Sequence, residues 1–297
     1  MTDVTAARLT DWSLLHFSGP DTPGFLHGQL TCDVLALQPG TSTYGGYCNP
    51  KGRLLATFLL WMDDGGYTML LPSAIAEAIR RRLTMYVLRA KVKIEDITAR
   101  HSCIGITGSA AVADIAALGG ALPERQHALT RNEKAVVVHL PVQRYLAITL
   151  QTPAQLPVDN EAWAAADVAA GIPFIVPATQ EEFVPQMVNL DLIGALSYTK
   201  GCYPGQEIVA RTHYLGRLKQ RMFRSSVAAP ANAGDKLYCA DLGDQAAGMI
   251  VAGVVTADEG SDVLAVLRTA NAESEPYHLG SPQGPRLEIT PQPYRIT

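Results

Sequence analysis

A single cysteine set among turn formers and basic side chains is the strongest chemical signal in the chain. It lies in the run Lys200-Gly201-Cys202-Tyr203-Pro204-Gly205-Gln206-Glu207, which continues as Ile208-Val209-Ala210-Arg211. Gly201 and Gly205 tolerate positive φ and Pro204 presets its own φ, so the thiol is expected on a sharp bend within reach of solvent. Lys200 and Arg211 would favour the thiolate, the form that attacks, ligates metal or oxidises. The competing expectation is a small buried cysteine that only packs, the commoner fate of a free thiol.

Other candidates are weaker. Arg217-Leu218-Lys219-Gln220-Arg221 alternates, so as a strand it would put Arg217, Lys219 and Arg221 on one face, with Arg211 and Arg224 nearby and no acid between Glu207 and Asp235. Such a stripe suits a carboxylate, a phosphate or an RNA backbone, and suits equally well a solvated edge strand protected by charge. Trp12 and Trp163 are flat surfaces for a planar ligand, although core packing explains them as well. Arg80-Arg81-Arg82 spans most of a helix circumference and cannot face one ligand. Gly105-Ile106-Thr107-Gly108 lacks the spacing of a phosphate loop or a dinucleotide fingerprint. The seven histidines and five cysteines show no metal-ligand spacing, and no disulfide framework is encoded, so no permanent metal is expected.

The formal net charge of −4 over 297 residues argues against a surface built wholly to grip a polyanion. No run reaches the ~18 apolar residues of a membrane span. The first eleven residues do not read as a secretory signal, so a cytoplasmic protein with free thiols and no membrane partner is expected.

The elements that must position these residues read as α+β. Leu54 to Met62 and Tyr67 to Leu71 form a hairpin across Asp63-Asp64-Gly65-Gly66, and Ser73 opens a helix to about Leu88. Lys91 to Glu95 alternates as a half-exposed strand, Cys103 to Thr107 is another, and an Ala-rich helix ends at Gly119-Gly120. Ala135 to Leu140 and Arg144 to Leu150 pair as a hairpin. Gln151 to Asp159 is a loop, after which Asn160 caps a helix that stops at Gly171. From Arg217 onward helical periodicity disappears, and short β runs (Arg221 to Val227, Leu237 to Ala240, Met249 to Thr256, Val263 to Arg268, Leu287 to Ile289) suggest a small β-barrel or sandwich.

The run Lys200 to Arg211 resembles the signature of the YgfZ family, folate-binding proteins linked to iron–sulfur cluster assembly and repair and also called tRNA-modifying proteins. The likeness extends through Phe183 to Leu190 and Tyr214-Leu215-Gly216. Gly28 to Val34 and Cys48-Asn49-Pro50-Lys51-Gly52-Arg53 are similar to segments of this family and of its relative, the T-protein aminomethyltransferase. The resemblance implies a multidomain T-protein-like ring of two α+β domains with a C-terminal β-barrel. Residues 1–216 would be the folate-binding-like part, in two intertwined subdomains (about 1–48 with 135–216, and 49–134), and 217–297 the barrel.

The same resemblance implies that Cys202 is the functional thiol, set in the motif residues Lys200, Gly201, Tyr203, Gly205, Gln206, Glu207 and Arg211. Trp12 and Trp163 would contact tetrahydrofolate or a derivative. Partners would be a folate-like small molecule and iron–sulfur client or assembly proteins, with Cys202 a transient iron ligand, a mixed-disulfide partner or a guard against oxidation. Two departures matter. Ala56-Thr57 stand where the aminomethyltransferase carries paired aspartates, so that acid/base chemistry is not expected. Ala169 stands where relatives often carry a glutamate, and losing a charge-assisted hydrogen bond weakens folate binding by about 1.5–3 kcal/mol. The rival functions are a folate-dependent one-carbon enzyme and a tRNA-binding module using the Arg211 to Arg224 stripe.

Overall fold

A computed structural model describes residues 6–296 except 64, 109–110, 151–154, 215, 217, 271 and 273–275. Asp64 of the expected hairpin turn, the start of the loop at Gln151, Leu215 of the motif extension and Arg217 of the basic stripe therefore lie outside the described residues. The chain divides into two compact units, residues 1–45 with 58–166, and residues 46–57 with 167–297.

Along the first part of the chain run β1 (Ala6–Leu9), β2 (Trp12–Ser18), α1 (Thr22–His27), β3 (Ser42–Cys48), β4 (Leu54–Asp63), β5 (Gly66–Pro72), α2 (Ser73–Val87) and β6 (Lys93–Asp96). They continue with β7 (Ser102–Thr107), α3 (Ala111–Ala117), β8 (Leu129–Arg131), β9 (Ala135–Leu140), β10 (Arg144–Thr149) and α4 (Asn160–Ala169). Two five-stranded sheets result, ordered β3-β4-β5-β2-β6 and β1-β7-β10-β9-β8. The first eight residues of β4 and all of β10 are buried, the signature of strands covered on both faces, where continuous apolar runs replace alternation. Both expected hairpins are present, β4 with β5 and β9 with β10, in antiparallel register.

The helix at Trp163 differs from expectation at its start. Asp159, one residue earlier than expected, caps α4 by accepting the Ala162 N–H at 2.8 Å. Asn160 turns its side chain elsewhere, its Oδ1 accepting the N–H groups of Thr10 at 2.9 Å and Asp11 at 3.3 Å. The stop at Gly171 holds: its φ is +66°, and Ile172 N–H reaches back to the Asp167 carbonyl at 3.0 Å. On α2, Glu77 binds both Arg80 and Arg81, which holds its carboxyl down at about 2. Arg80 and Arg81 are thus engaged with a surface carboxylate of their own helix.

The remainder comprises α5 (Gln206–Tyr214), β11 (Gln220–Val227), β12 (Lys236–Tyr238), β13 (Gly248–Val255), β14 (Ser261–Arg268), β15 (His278–Leu279) and β16 (Leu287–Ile289). The six strands are ordered β15-β12-β13-β14-β11-β16. Its two edges meet, since Leu287 donates to the Tyr277 carbonyl and Leu279 to the Pro285 carbonyl, each at 2.8 Å, giving a nearly closed barrel. A bulge between Ile250 and Ala252 in β13 supplies the bend that closure needs. Phe223, Leu237, Ile250, Val263 and Leu267 fill the interior. Every strand expected after Arg217 is found within a few residues, and β15 is the one the sequence did not announce.

Among the described residues the basic stripe does not form. Strand β11 begins only at Gln220, so Lys219 precedes it. Arg221 is buried and grips Asp191 with two parallel hydrogen bonds of 2.6 and 2.9 Å while donating to the Gln186 carbonyl at 2.9 Å. A guanidinium committed inward cannot share a face with solvent-facing cations.

Candidate functional site: an exposed thiol on a glycine clamp

Cys202 is exposed, whereas Cys32, Cys48, Cys103 and Cys239 are buried. It sits in irregular backbone four residues before α5, two residues ahead of the turn at Pro204-Gly205 and not on the turn itself. That turn is fixed by a contact between two separate motifs. Gly205 has φ +80°, and a Cβ there would stand 2.5 Å from both the Cα and the N of Gly52 and 2.6 Å from the Asn49 carbonyl oxygen. Gly52 has φ +71° and faces the Gly205 carbonyl oxygen at 3.1 Å from an added Cβ. Two glycines thus let backbone meet backbone.

Asn49 organises the other half of the clamp. Its Oδ1 accepts the N–H groups of Lys51 at 2.9 Å and Arg53 at 3.0 Å, and its carbonyl accepts that of Gly52 at 2.9 Å. The side chain therefore ties a tight loop of the Asx kind. Gln186, from the Phe183 to Leu190 run, donates to the Val209 carbonyl of α5 at 2.7 Å. Three of the quoted motif segments are in this way assembled around one helix start.

The other motif residues divide into anchors and surface. Lys200 is buried, with its ammonium 5.2 Å from the centre of the Tyr203 ring. This cation–π contact holds the charge against the ring. Burial, then the neighbouring Cys48 and Tyr198, push the Tyr203 phenol far above its ordinary range, so it stays protonated. Gly201, Glu207 and Arg211 are exposed, and Gln206 donates its N–H to the Tyr203 carbonyl at 3.1 Å. Glu207 in the first turn of α5 and Arg211 in the last complement the helix dipole.

Trp12 and Trp163 lie in the other unit, on β2 and α4, and expose only 8% and 4% of their surface. Trp163 rests on Gly105, where a Cβ would come within 2.4 Å of the indole, and the Arg144 guanidinium lies 5.2 Å from its ring centre. The glycine of the loosely phosphate-loop-like run is thus a seat for this indole. The cavity beside Trp163 holds about 10 Å³. As packed, both indoles are largely covered.

At the position of the missing aspartates, Ala56 and Thr57 are buried, and Thr57 commits its hydroxyl to the Ile175 N–H at 2.8 Å. Ala169 is half-buried at the end of α4. Among the described residues no group of three or more His, Cys, Asp or Glu side chains is placed to hold a metal ion, and no helix is long and apolar enough to cross a membrane.

Burial also makes the thiols distinguishable. It raises both Cys48 and Cys103 to about 12. Iodoacetamide applied to the native protein at about pH 8 is therefore expected to add one group by intact-mass measurement, and none to Cys202→Ser. More than one adduct before unfolding would contradict the burial pattern.

The T-protein likeness is visible in the architecture. The structure of the glycine cleavage system aminomethyltransferase T from Bartonella henselae superposes with a TM-score of 0.78 at 14% identity, over 98% of this chain and 87% of that one, and shares its fold. No protein-family model matches the chain. The tRNA-modifying protein YgfZ of Edwardsiella ictaluri is 31% identical over 309 residues, covering 98% of this chain and 92% of that protein. The chain belongs to the YgfZ family. The tRNA-modifying protein YgfZ of Sodalis glossinidius, 30% identical over 312 residues and 99% of this chain, places it there equally. Family membership thus agrees with the run around Cys202 that first suggested it.

Proposed function

We propose that the protein assists the assembly, maintenance or repair of iron–sulfur clusters on client enzymes, including tRNA-modifying ones, with Cys202 as the working thiol. The observation that carries this is the single exposed cysteine, held just ahead of a turn that two glycines fix by meeting backbone to backbone. Rigid backbone with an open thiol suits brief contact with a cluster or a client. The relatives' name, tRNA-modifying protein, supports a client set that includes RNA-modifying enzymes. One thiolate does not complete the ligand set of a stable cluster, so the remaining ligands would come from the cargo or its client.

A folate is part of the proposal through the resemblance at Trp12 and Trp163, whose indoles expose little surface to it. Calorimetric titration with tetrahydrofolate is expected to give saturable heat that Trp163→Ala abolishes. No heat, together with no thermal shift, would remove the folate and leave the thiol. Two findings weigh against the rivals: the Thr57 hydroxyl is already occupied, and Arg221 faces inward. The thiol role is tested by replacing Cys202 with serine in cells that depend on the protein.

A further inference from the structure

On the first unit, α2 buries Ile75, Ala76, Ile79 and Leu83 and turns its opposite face to solvent. Near the C-terminus that outward face becomes apolar. Met85 is 66% exposed and Leu88, directly after the helix, 86%, with Tyr86 exposed on the flank. Arg81 and Met85 lie about one turn apart on this face, and Leu88 follows almost a turn later. Leu88 also holds a backbone that favours glycine, with φ +48° and ψ −104°. A leucine kept there in water gains nothing from packing, so its strain points to a contact outside the fold.

The surrounding charge is predominantly basic. Residues 73–93 carry Arg80, Arg81, Arg82, Arg89, Lys91 and Lys93 against one acid, Glu77, a formal charge of +5 in a chain of −4. Glu77 is taken up by Arg80 and Arg81, and Lys93 pairs with Glu95 at 3.0 Å. The other acids at hand are Asp96, whose charge acts on Arg80, and Asp21, which accepts the Lys91 N–H at 2.7 Å. Arg82, Arg89 and Lys91 form no ion pair among the described residues. A nucleic-acid backbone would use these cations but leave Met85 and Leu88 in water. An apolar groove would cover the leucine but leave the cations without partners. A bilayer rich in anionic lipid takes both, and needs no shaped pocket to receive a projecting helix end.

We propose that the C-terminal end of α2 rests against an anionic bilayer surface, with Met85 and Leu88 entering the headgroup boundary and Arg82, Arg89 and Lys91 among the lipid phosphates. The lack of an apolar span, behind the expectation of no membrane partner, bears on crossing a bilayer and not on lying against one. The probe is vesicles of phosphatidylcholine containing about a third phosphatidylglycerol, floated with the full chain at about 0.1 M and 0.5 M salt. Pure phosphatidylcholine is the comparator. Binding to the anionic vesicles is expected, at least about fivefold weaker without the anionic lipid and again weaker at the higher salt. Leu88→Gly separates contact from folding, because glycine accepts this backbone: the melting temperature should hold or rise while vesicle binding falls at least about threefold. Met85→Ser should fall similarly and decides the matter if Leu88→Gly is less stable. Arg89→Gln with Lys91→Gln should lose about tenfold or more. No binding to anionic vesicles, equal binding to pure phosphatidylcholine, or undiminished binding in the apolar variants would each overturn the proposal. So would a short RNA duplex that binds where vesicles do not, which would assign the cations to a nucleic acid.

Discussion

Gly205→Ala is expected to cost about 2–5 kcal/mol, from a left-handed backbone that disfavours a side chain plus overpacking against fixed atoms. At roughly 2–4 °C per kcal/mol this lowers the melting temperature by about 4–20 °C. The reason is that the intruding Cβ meets Gly52 and Asn49 backbone, which cannot rotate away as a side chain would. Gly194 is the control: its φ is +73°, but a Cβ there meets nothing within 4 Å. Gly194→Ala should therefore show only the conformational part, about 1–2 kcal/mol. Equal losses in the two variants, measured by denaturant unfolding, would show that the clamp carries no packing strain. The Gly205 variant should also alkylate at more than Cys202, because loosening the clamp opens the neighbouring Cys48.

The second large effect is expected at Arg221. Removing its guanidinium leaves the Asp191 carboxylate partly buried and unpaired, together with the Gln186 carbonyl, which costs about 3–5 kcal/mol. Arg221→Ala should fall by that amount in chemical denaturation. Arg221→Met combined with Asp191→Leu removes both charges at once and should be less destabilised than Arg221→Ala alone. If the double variant loses at least as much as the sum of the singles, the pair is not the source of the stability.

These two sites show where sequence reading works. The C-terminal strands were legible because a barrel strand is short, β-rich and bounded by turn residues, all local properties. The hairpins β4–β5 and β9–β10 were legible for the same reason. The start of α5 at Gln206 was not, since Pro204 and Gly205 announce a turn without saying that a helix follows. Nor was the inward turn of Arg221. Alternation put three cations on one face, but Asp191 lies thirty residues earlier and only the fold brings it near. The turn near Cys202 was visible from Pro204 and Gly205, although it falls two residues after the thiol, and the purpose of its glycine was not. Gly52 and Gly205 are 153 positions apart, and their meeting is a fact of packing. Likewise the spacing around Gly105 excluded a phosphate loop but did not say that the glycine seats Trp163.

The tryptophans mark the other limit. Residue type allowed both a ligand and a core reading, and their small exposure narrows what a folate could touch. The thiol therefore bears most of the weight of the proposed role, and it can be tested alone. In cells lacking the native protein, iron–sulfur enzyme activity and the level of cluster-dependent tRNA modification are compared after supplying the wild-type chain, Cys202→Ser, or Cys239→Ser as a buried-thiol control, at matched protein levels. Restoration by wild type and Cys239→Ser with none by Cys202→Ser is the predicted result. Full restoration by Cys202→Ser would contradict the central claim.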